Sequence, residues 1–312
     1  MNGDGRPAIR LTGVRLATSH FQLGPLHLEV PAGYVTAIVG PNGSGKSTTF
    51  RLTLDLTKPD EGIVEVLGRK MGGGKQLELL RRIGYLPEEP YRHDNVLRGM
   101  DKAEFHKAWY PDWDVNHYRE LLRLFEVDHS LRLGKMSKGM RRKFDLALTL
   151  SHHPDLLLLD EPSSGLDPLS WRAMIDLLHR YMEPGDRTIL IASHVVEEVK
   201  RLADFIVFML NGRVLGMYEK DELLTGWHQF YFPGAFEEWR GVLSGMPGLA
   251  GLEDAGGVVR AVTSSAREAE AWLVARELAP AGRKSMELDD ILAVLVEREK
   301  LHRRQGTKGV VQ

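Results

Sequence analysis

Short apolar runs alternate with helix-like segments over most of the chain. A helix is expected to begin near Gly45, and strand-length runs predict β-strands at residues 34–39, 155–159, 188–192 and 205–210. Residues 156–159 are leucine at every position, which is typical of a central strand in a parallel sheet with both faces covered. A buried helix would give the same run, but Pro154 and Pro162 favour the short strand.

The pattern changes after the strand at 205–210. Asn211-Gly212 predicts a two-residue hairpin turn, so residues 213–218 should pair back antiparallel. Beyond Gly226 the pattern predicts a small α+β extension over residues 226–304, with strands at 230–232 and 258–262 and helices at 265–278 and 286–303. Residues 305–312 predict an unstructured tail.

The composition indicates which class of protein this is, but it says little about which partners the protein binds. A length of 312 residues, 43% of them hydrophobic and 27% charged, predicts a folded globular chain. The net charge of -2 gives no reason to expect a nucleic-acid partner. The absence of cysteine excludes disulfides, thiolate zinc sites and a cysteine nucleophile, and it suits the cytoplasm.

Membrane association is expected to come through another subunit. No apolar run approaches the roughly 20 residues that cross a bilayer. The amino terminus lacks the continuous apolar stretch of a secretory signal.

The strongest chemical signal lies between the first predicted strand and the helix near Gly45. The segment reads Gly40-Pro41-Asn42-Gly43-Ser44-Gly45-Lys46-Ser47-Thr48 and fulfils the phosphate-loop pattern. Its glycines let successive backbone N–H groups point at phosphate oxygens, at the positive end of the helix dipole. Lys46 is expected to reach the β and γ phosphates of ATP, and Ser47 to bind Mg²⁺. The alternative is a glycine-rich turn with a chance lysine.

Two carboxylates, Asp160 and Glu161, follow the leucine strand directly. The carboxyl end of a buried strand is where open α/β sheets bind ligands. Asp160 is therefore expected to hold the magnesium, and Glu161 to polarise the water that attacks the γ-phosphate. On its own, such a pair is more often a solvated cap, but the phosphate loop favours the catalytic interpretation.

Three further segments resemble ABC-type ATPases over about residues 9–218. The run Asp160-Glu161-Pro162-Ser163-Ser164-Gly165-Leu166-Asp167-Pro168 resembles the Walker B and D-loop stretch, and it places Asp167 among the expected nucleotide-binding residues. Met136-Ser137-Lys138-Gly139-Met140 occupies the place of the signature motif. Ser193-His194 resembles the switch histidine that senses the γ-phosphate, although a histidine at a strand end is usually structural.

The resemblance implies an α/β fold. It comprises a P-loop NTPase core of ABC type with a mainly parallel sheet, an antiparallel β subdomain, a helical signature subdomain at about residues 88–150 and the C-terminal extension. The cassette itself would occupy residues 1–225.

The chain departs from the family pattern at several positions. Lys138 replaces a signature glycine and either adds a charge near phosphate or points to solvent, while Ser137 and Gly139 stand where the phosphate-contacting pair belongs. Glu88 stands where the family has a glutamine, and it can accept a hydrogen bond from a magnesium-bound water. Phe21, or next His20, is the candidate for stacking on adenine, although Phe21 could equally be core.

The resemblance also implies partners. Two cassettes, in a homodimer or a heterodimer, would close head to tail on ATP, with Glu161, His194 and Lys46 acting on the γ-phosphate. Membrane-spanning permease subunits would hold the chain on the inner face of the cell membrane and contact residues 91–98 and 101–125. The aromatic residues of the latter segment are more often core than interface.

Export is the favoured direction of transport. The alternatives are a soluble ABC ATPase acting on ribosomes or DNA, and a regulatory nucleotide-binding module.

Overall fold

The computed structural model of the protein describes residues 6–19, 21–73 and 76–308, with side chains as far as Lys300. His20 and the last four residues of the chain therefore lie outside the described residues. The chain divides into two compact units, Met1–Gly216 and Met217–Gln312. The division lies slightly before the domain boundary at 225 that the sequence predicts.

The first unit contains two sheets and seven helices among its described residues. Its strands are β1 (Pro7–Ala17), β2 (Gln22–Pro31), β3 (Val35–Val39), β4 (Glu61–Val66), β5 (Arg69–Lys70), β6 (Ile83–Leu86), β7 (Leu156–Asp160), β8 (Thr188–Ala192), β9 (Phe205–Leu210) and β10 (Arg213–Glu219), the last of which runs into the second unit. Its helices are α1 (Lys46–Thr53), α2 (Gln76–Leu80), α3 (Gly99–Trp109), α4 (Val115–Leu124), α5 (Lys138–Leu150), α6 (Pro168–Met182) and α7 (Val196–Leu202).

The larger sheet has the order β10-β9-β3-β8-β7-β6, and its strands from β9 to β6 run parallel. Every residue of β3, β7 and β8 is buried, as the uninterrupted apolar runs predict. The hairpin predicted at Asn211-Gly212 is confirmed, because β10 lies next to β9. The smaller sheet, β2-β1-β4-β5, is antiparallel. The predicted α/β class with an antiparallel β subdomain is confirmed.

The helical region predicted at 101–125 is two helices. The chain leaves α3 at Trp109 and begins α4 after Asp114, whose carboxylate caps the new helix by accepting from the N–H groups of Asn116 and His117 at 2.8 and 3.0 Å.

The aromatic residues of this region divide into two groups. Tyr110 packs on the buried His152, with 3.9 Å between ring centroids. Phe105 and Trp109 are 67% and 47% exposed and stack on each other, so the expectation that they belong to the core is wrong. The two residues lie one turn apart on α3, which brings their rings to the same face of the helix.

The second unit is built on a single antiparallel sheet. Its elements are α8 (Lys220–Gly226), β11 (His228–Pro233), α9 (Phe236–Leu243), β12 (Leu249–Asp254), β13 (Val258–Thr263), α10 (Ala266–Val274), β14 (Gly282–Ser285) and α11 (Leu288–Lys308). The chain order β11-α9-β12-β13-α10-β14 with sheet order β12-β13-β11-β14 is the ferredoxin-like arrangement. The core lies between the sheet and its helices, where Phe230, Phe232, Val259 and Leu273 pack together.

The last helix runs further than the sequence predicts. Residues 305–308, expected to belong to an unstructured tail, form the end of α11. Among the described residues, no helix has both the length and the apolarity needed to cross a membrane.

Candidate functional site

Four of the parallel strands end at one edge of the larger sheet, and each is followed by a segment that the sequence singles out. The phosphate loop follows β3, Glu88 follows β6, Asp160 ends β7 with Glu161 directly after it, and His194 follows β8. Because parallel strands in register share their carboxyl edge, residues that are more than 100 positions apart in the chain meet there.

The phosphate loop turns tightly from β3 into α1. Gly45 has φ 111°, and a Cβ atom there would lie 2.7 Å from Leu23 and 3.1 Å from the ring of Phe21, so only glycine fits. The Lys46 ammonium folds back over the loop and donates to the carbonyls of Gly40 at 2.8 Å and Pro41 at 3.3 Å.

A cavity of about 650 Å³ opens beside this loop. It is lined by Thr18, Phe21, Asn42, Gly43, Gly45, Lys46, Ser47, Thr48, Glu88, Asp160 and Glu161. The structure thus brings most of the predicted nucleotide and metal residues to one concave surface. Phe21 touches Gly45 and lines the cavity, so its ring is part of this surface.

The Asp160 carboxylate is buried on the cavity floor. Its pKa is raised to about 6, chiefly by burial and also by the carboxylates of Glu88 and Glu161, whereas a hydrogen bond with Ser47 opposes the shift. Asp160 Oδ1 is buried and has no hydrogen-bond partner among the described residues. An oxygen in this position suits a cation ligand better than a packing role.

Glu161 and His194 contact each other. The Nδ1 atom of His194 lies 2.6 Å from Oε2 of Glu161. Glu161 is a non-glycine residue in the left-handed region, with φ 49°, and its N–H donates to the carbonyl of Ala192 at 2.8 Å. The strained backbone is held by its surroundings and aims a buried carboxylate at the cavity.

Two buried charged residues near this pair were missed at the level of sequence. Glu198 is completely buried in α7, where its Oε2 accepts from the hydroxyls of Ser193 and Ser163. Burial raises its pKa to about 7. Arg142 in α5 is 6% exposed and donates to backbone carbonyls at the end of β7. Both residues could have been found from the sequence, because each is a charged residue at a position of an amphipathic helix that faces the core.

The signature segment lies outside the cavity. Ser137 caps α5 by accepting from the N–H of Met140 at 3.1 Å. A Cβ on Gly139 would lie 2.5 Å from the carbonyl oxygen of Gly165, and the aliphatic stem of Lys138 covers Gly165. The signature and D-loop segments of one chain therefore pack on each other, and none of Ser137, Lys138 and Gly139 lines the described cavity.

Asp167 also lies away from the cavity lining. Its carboxylate caps α6 by accepting from the N–H groups of Leu169 and Ser170 at 3.0 Å each. A further bond from the Ser170 hydroxyl, at 2.6 Å, contributes most to lowering the pKa of Asp167 to about 2.

Comparison with known proteins identifies the relatives of this chain. A family model described as "ABC transporter" matches residues 23–164. The chain is 34% identical over 206 residues to the bacitracin transport ATP-binding protein BcrA of Bacillus licheniformis, covering 64% of this chain and 65% of that protein, which is just under two thirds of its length. It is 33% identical over 220 residues to a Nod factor export ATP-binding protein I of a Rhizobium species, covering 67% of this chain and 69% of that protein.

A solved structure agrees with these relatives. The ATP-binding subunit of an ABC transporter superposes with a TM-score of 0.63 at 25% identity, covering 70% of this chain and 92% of that one. The chain belongs to the ABC transporter family.

Proposed function

We propose that ATP hydrolysis in this chain drives export across a membrane through separately encoded permease subunits. The observation that carries the proposal is the cavity in which Lys46, Asp160 and Glu161 meet at the carboxyl edge of the parallel sheet. Related proteins named for bacitracin transport and Nod factor export support the direction. The chain would sit on the cytoplasmic face of the membrane, held there by the permease.

The cavity residues fit a nucleotide with Mg²⁺. The donor set comprises the hydroxyl of Ser47 and the carboxylates of Asp160 and Glu88, and Asp160 presents a buried oxygen with no other partner among the described residues. This oxygen set suits a hard cation that shares phosphate oxygens rather than a cage made of protein alone. When bound, the cation would neutralise charge on the phosphates.

The hydrolytic step would rest on Glu161. Its carboxylate lines the cavity and would orient and polarise the attacking water. His194, whose Nδ1 lies 2.6 Å from Glu161, would hold the carboxylate in place, and as an imidazolium it would also donate from its other ring nitrogen to the γ-phosphate. Lys46 would exchange its carbonyl partners Gly40 and Pro41 for phosphate oxygens, because an ammonium bonds to charged oxygens more strongly than to neutral ones.

A complete site would need a second cassette. The signature residues Ser137 and Lys138 are exposed and lie outside the cavity of their own chain, so they are available to the nucleotide of a partner. In a head-to-tail pair, Ser137 and Gly139 would donate to the γ-phosphate and Lys138 would add positive charge. Either a second copy or a different cassette could fill this place.

The permease would contact the groove beside α3. The groove has a volume of about 370 Å³, and its apolar and aromatic lining includes Pro87, Pro90, Tyr91, Leu97 and Phe105. Lys102 at its floor lies 2.8 Å from Asp94 and 3.1 Å from Asp145, so these charges are already paired. The exposed rings of Phe105 and Trp109 extend the apolar surface. A permease segment that presents apolar side chains would fit it.

Magnesium-dependent ATP turnover and dimerisation of the full chain test the proposal, with Glu161→Gln and Lys46→Ala beside the wild type. The glutamine variant should bind ATP, accumulate as a dimer and fail to turn over, and the alanine variant should fail to bind. Turnover that survives Glu161→Gln would contradict the assigned role. Export is tested by measuring ATP-dependent transport across vesicles that contain the chain together with its permease subunits. A complex that does not transport would count against export.

A further inference from the structure

Arg142 makes an unusual set of contacts for a residue of the signature helix. Its side chain is buried, and its guanidinium donates to four backbone carbonyls. Nε bonds to Pro162 at 3.1 Å, and one terminal nitrogen bonds to Asp160 at 2.6 Å and also to Glu161. The other terminal nitrogen bonds to Pro87.

These four carbonyls belong to separate segments of the site. Pro87 directly precedes Glu88, whereas Asp160 is the last residue of β7 and is followed by Glu161 and by Pro162, where the D-loop begins. One planar guanidinium therefore connects the signature helix to the two segments that supply the carboxylates of the cavity. Its five donors in a fixed fork suit this role, which a lysine ammonium could not reproduce.

The positive charge of Arg142 lies among the acidic side chains of the site. Burial lowers the pKa of the Arg142 guanidinium below its usual value, and the carboxylates of Asp145, Asp160, Glu198 and Glu88 oppose this shift by favouring the charged form. Arg142 thus offsets the negative charge that the site concentrates, without lining the cavity itself.

The bond from Arg142 to the carbonyl of Glu161 holds a residue with an unusual backbone conformation. Its φ of 49° is rare for a residue with a side chain, and such a conformation persists when its neighbours hold it. The N–H of Glu161 is held by Ala192, and its carbonyl is held by Arg142. Both peptide groups of the strained residue are therefore fixed, one from β8 and the other from the signature helix.

We propose that Arg142 is a positioning residue for ATP hydrolysis, which holds the main chain of Glu161 so that its carboxylate meets the attacking water. Through Pro87 it also links the position of Glu88 to the signature helix. A shift of that helix would then reach the water-activating carboxylate directly. The inference rests on the hydrolysis assigned to Glu161 and adds the residue that orients it.

Arg141 provides a matched control. It is the preceding residue of the same helix and is equally buried, but its guanidinium faces the side chains of Asp94, Asn95 and Asp145. Arg141 makes no bond to β7 among the described contacts, so its loss removes a buried cation without releasing Glu161.

The test compares Arg142→Lys and Arg142→Gln with Arg141→Lys and Arg141→Gln in steady-state ATP turnover by the full chain. For the Arg142 variants kcat should fall by about 10- to 100-fold, because a small misplacement of a reacting group has effects of this size. KM should change less than about threefold, because Arg142 does not line the cavity. The Arg141 variants should keep kcat within about threefold of the wild type, whatever they lose in stability.

Addition of methylguanidinium supplies a second readout. In Arg142→Ala it should restore kcat in a concentration-dependent way, and it should not do so in Arg141→Ala. Should the alanine variant fail to fold, the Arg142→Lys result decides alone. The proposal is overturned if the Arg142 variants retain wild-type kcat, or if their kcat falls only as far as that of Arg141 variants of equal unfolding temperature. If the wild-type chain has no turnover by itself, the same comparison is made in the complex with its permease subunits, and an inactive wild-type complex would contradict the hydrolysis itself.

Discussion

The two units of the chain use similar elements for different ends. Each has a sheet packed against helices, yet the buried charges lie in the first unit, among them Lys46, Arg142, Asp160 and Glu198. In the described part of the second unit the buried polar side chains are the uncharged Gln229 and Thr263. Because a buried charge is costly, its presence at the edge of one sheet marks that edge as the place of chemistry. The buried interior of the described part of the second unit is therefore typical of a structural domain rather than of a catalytic site.

The largest effect should come from the core of the second unit. Phe232 is completely buried, with its ring centroid 4.7 Å from that of Trp239. Phe232→Ala should lower the free energy of unfolding of this unit by about 3–5 kcal/mol, because it removes a buried aromatic ring and leaves a cavity. ATP affinity should stay unchanged. Calorimetry and titration with a fluorescent ATP analogue check both.

Val274→Ala is the control for this change, since Val274 is 77% exposed and should alter neither quantity. The comparison between the units breaks if Phe232→Ala weakens ATP binding in step with stability, because the second unit would then help to build the nucleotide site.

A smaller effect should appear in the pH dependence of stability. Burial raises the pKa of Glu198 to about 7 in the folded chain, above its ordinary value near 4.5. The folded state therefore keeps a proton that the unfolded state loses, and this contribution to stability is complete below about pH 4.5 and is lost as the pH rises through 7. Relative to Glu198→Gln, the wild type should lose on the order of 3 kcal/mol across this window.

Unfolding curves of the wild type and Glu198→Gln between pH 4.5 and 8 measure the difference. Asp160, His106 and His152 also have shifted pKa values, but they are common to both proteins and cancel in the comparison. Parallel stability curves would show that Glu198 has the same pKa in the folded and unfolded chain, and the burial effect assigned to it would be wrong.

The smallest effect should come from a charge pair on the surface of the second unit. Arg260 bonds to Glu253 across neighbouring strands, and both side chains are partly exposed. Arg260→Gln should change the free energy of unfolding by less than about 1 kcal/mol, because solvent screens such pairs. It should leave ATP turnover unaltered. A loss of turnover, measured beside the unfolding midpoint, would assign chemistry to the second unit.

The sequence predicted correctly those features whose residues are adjacent in the chain. The phosphate loop, the leucine strand and its two carboxylates each occupy one short segment, and the resemblance that these segments carry predicted the fold. It failed for β12 and β14, in which no residue is fully buried, so that neither strand shows the apolar pattern of a buried strand. It also failed for the exposed pair Phe105 and Trp109, because a helix pattern does not say which of its aromatic residues another element covers.

The amino-acid sequence by itself determined the parallel sheet, the nucleotide loop and the acidic pair that ends β7. These depend on local periodicity and on residue types within a few positions. Only the tertiary structure decided that Glu161 contacts His194, that Glu198 joins two serines and that Arg142 spans Pro87 and the end of β7. The physical reason is that these contacts join residues far apart in the chain, and their distances and burial arise only when the strands align along one sheet edge.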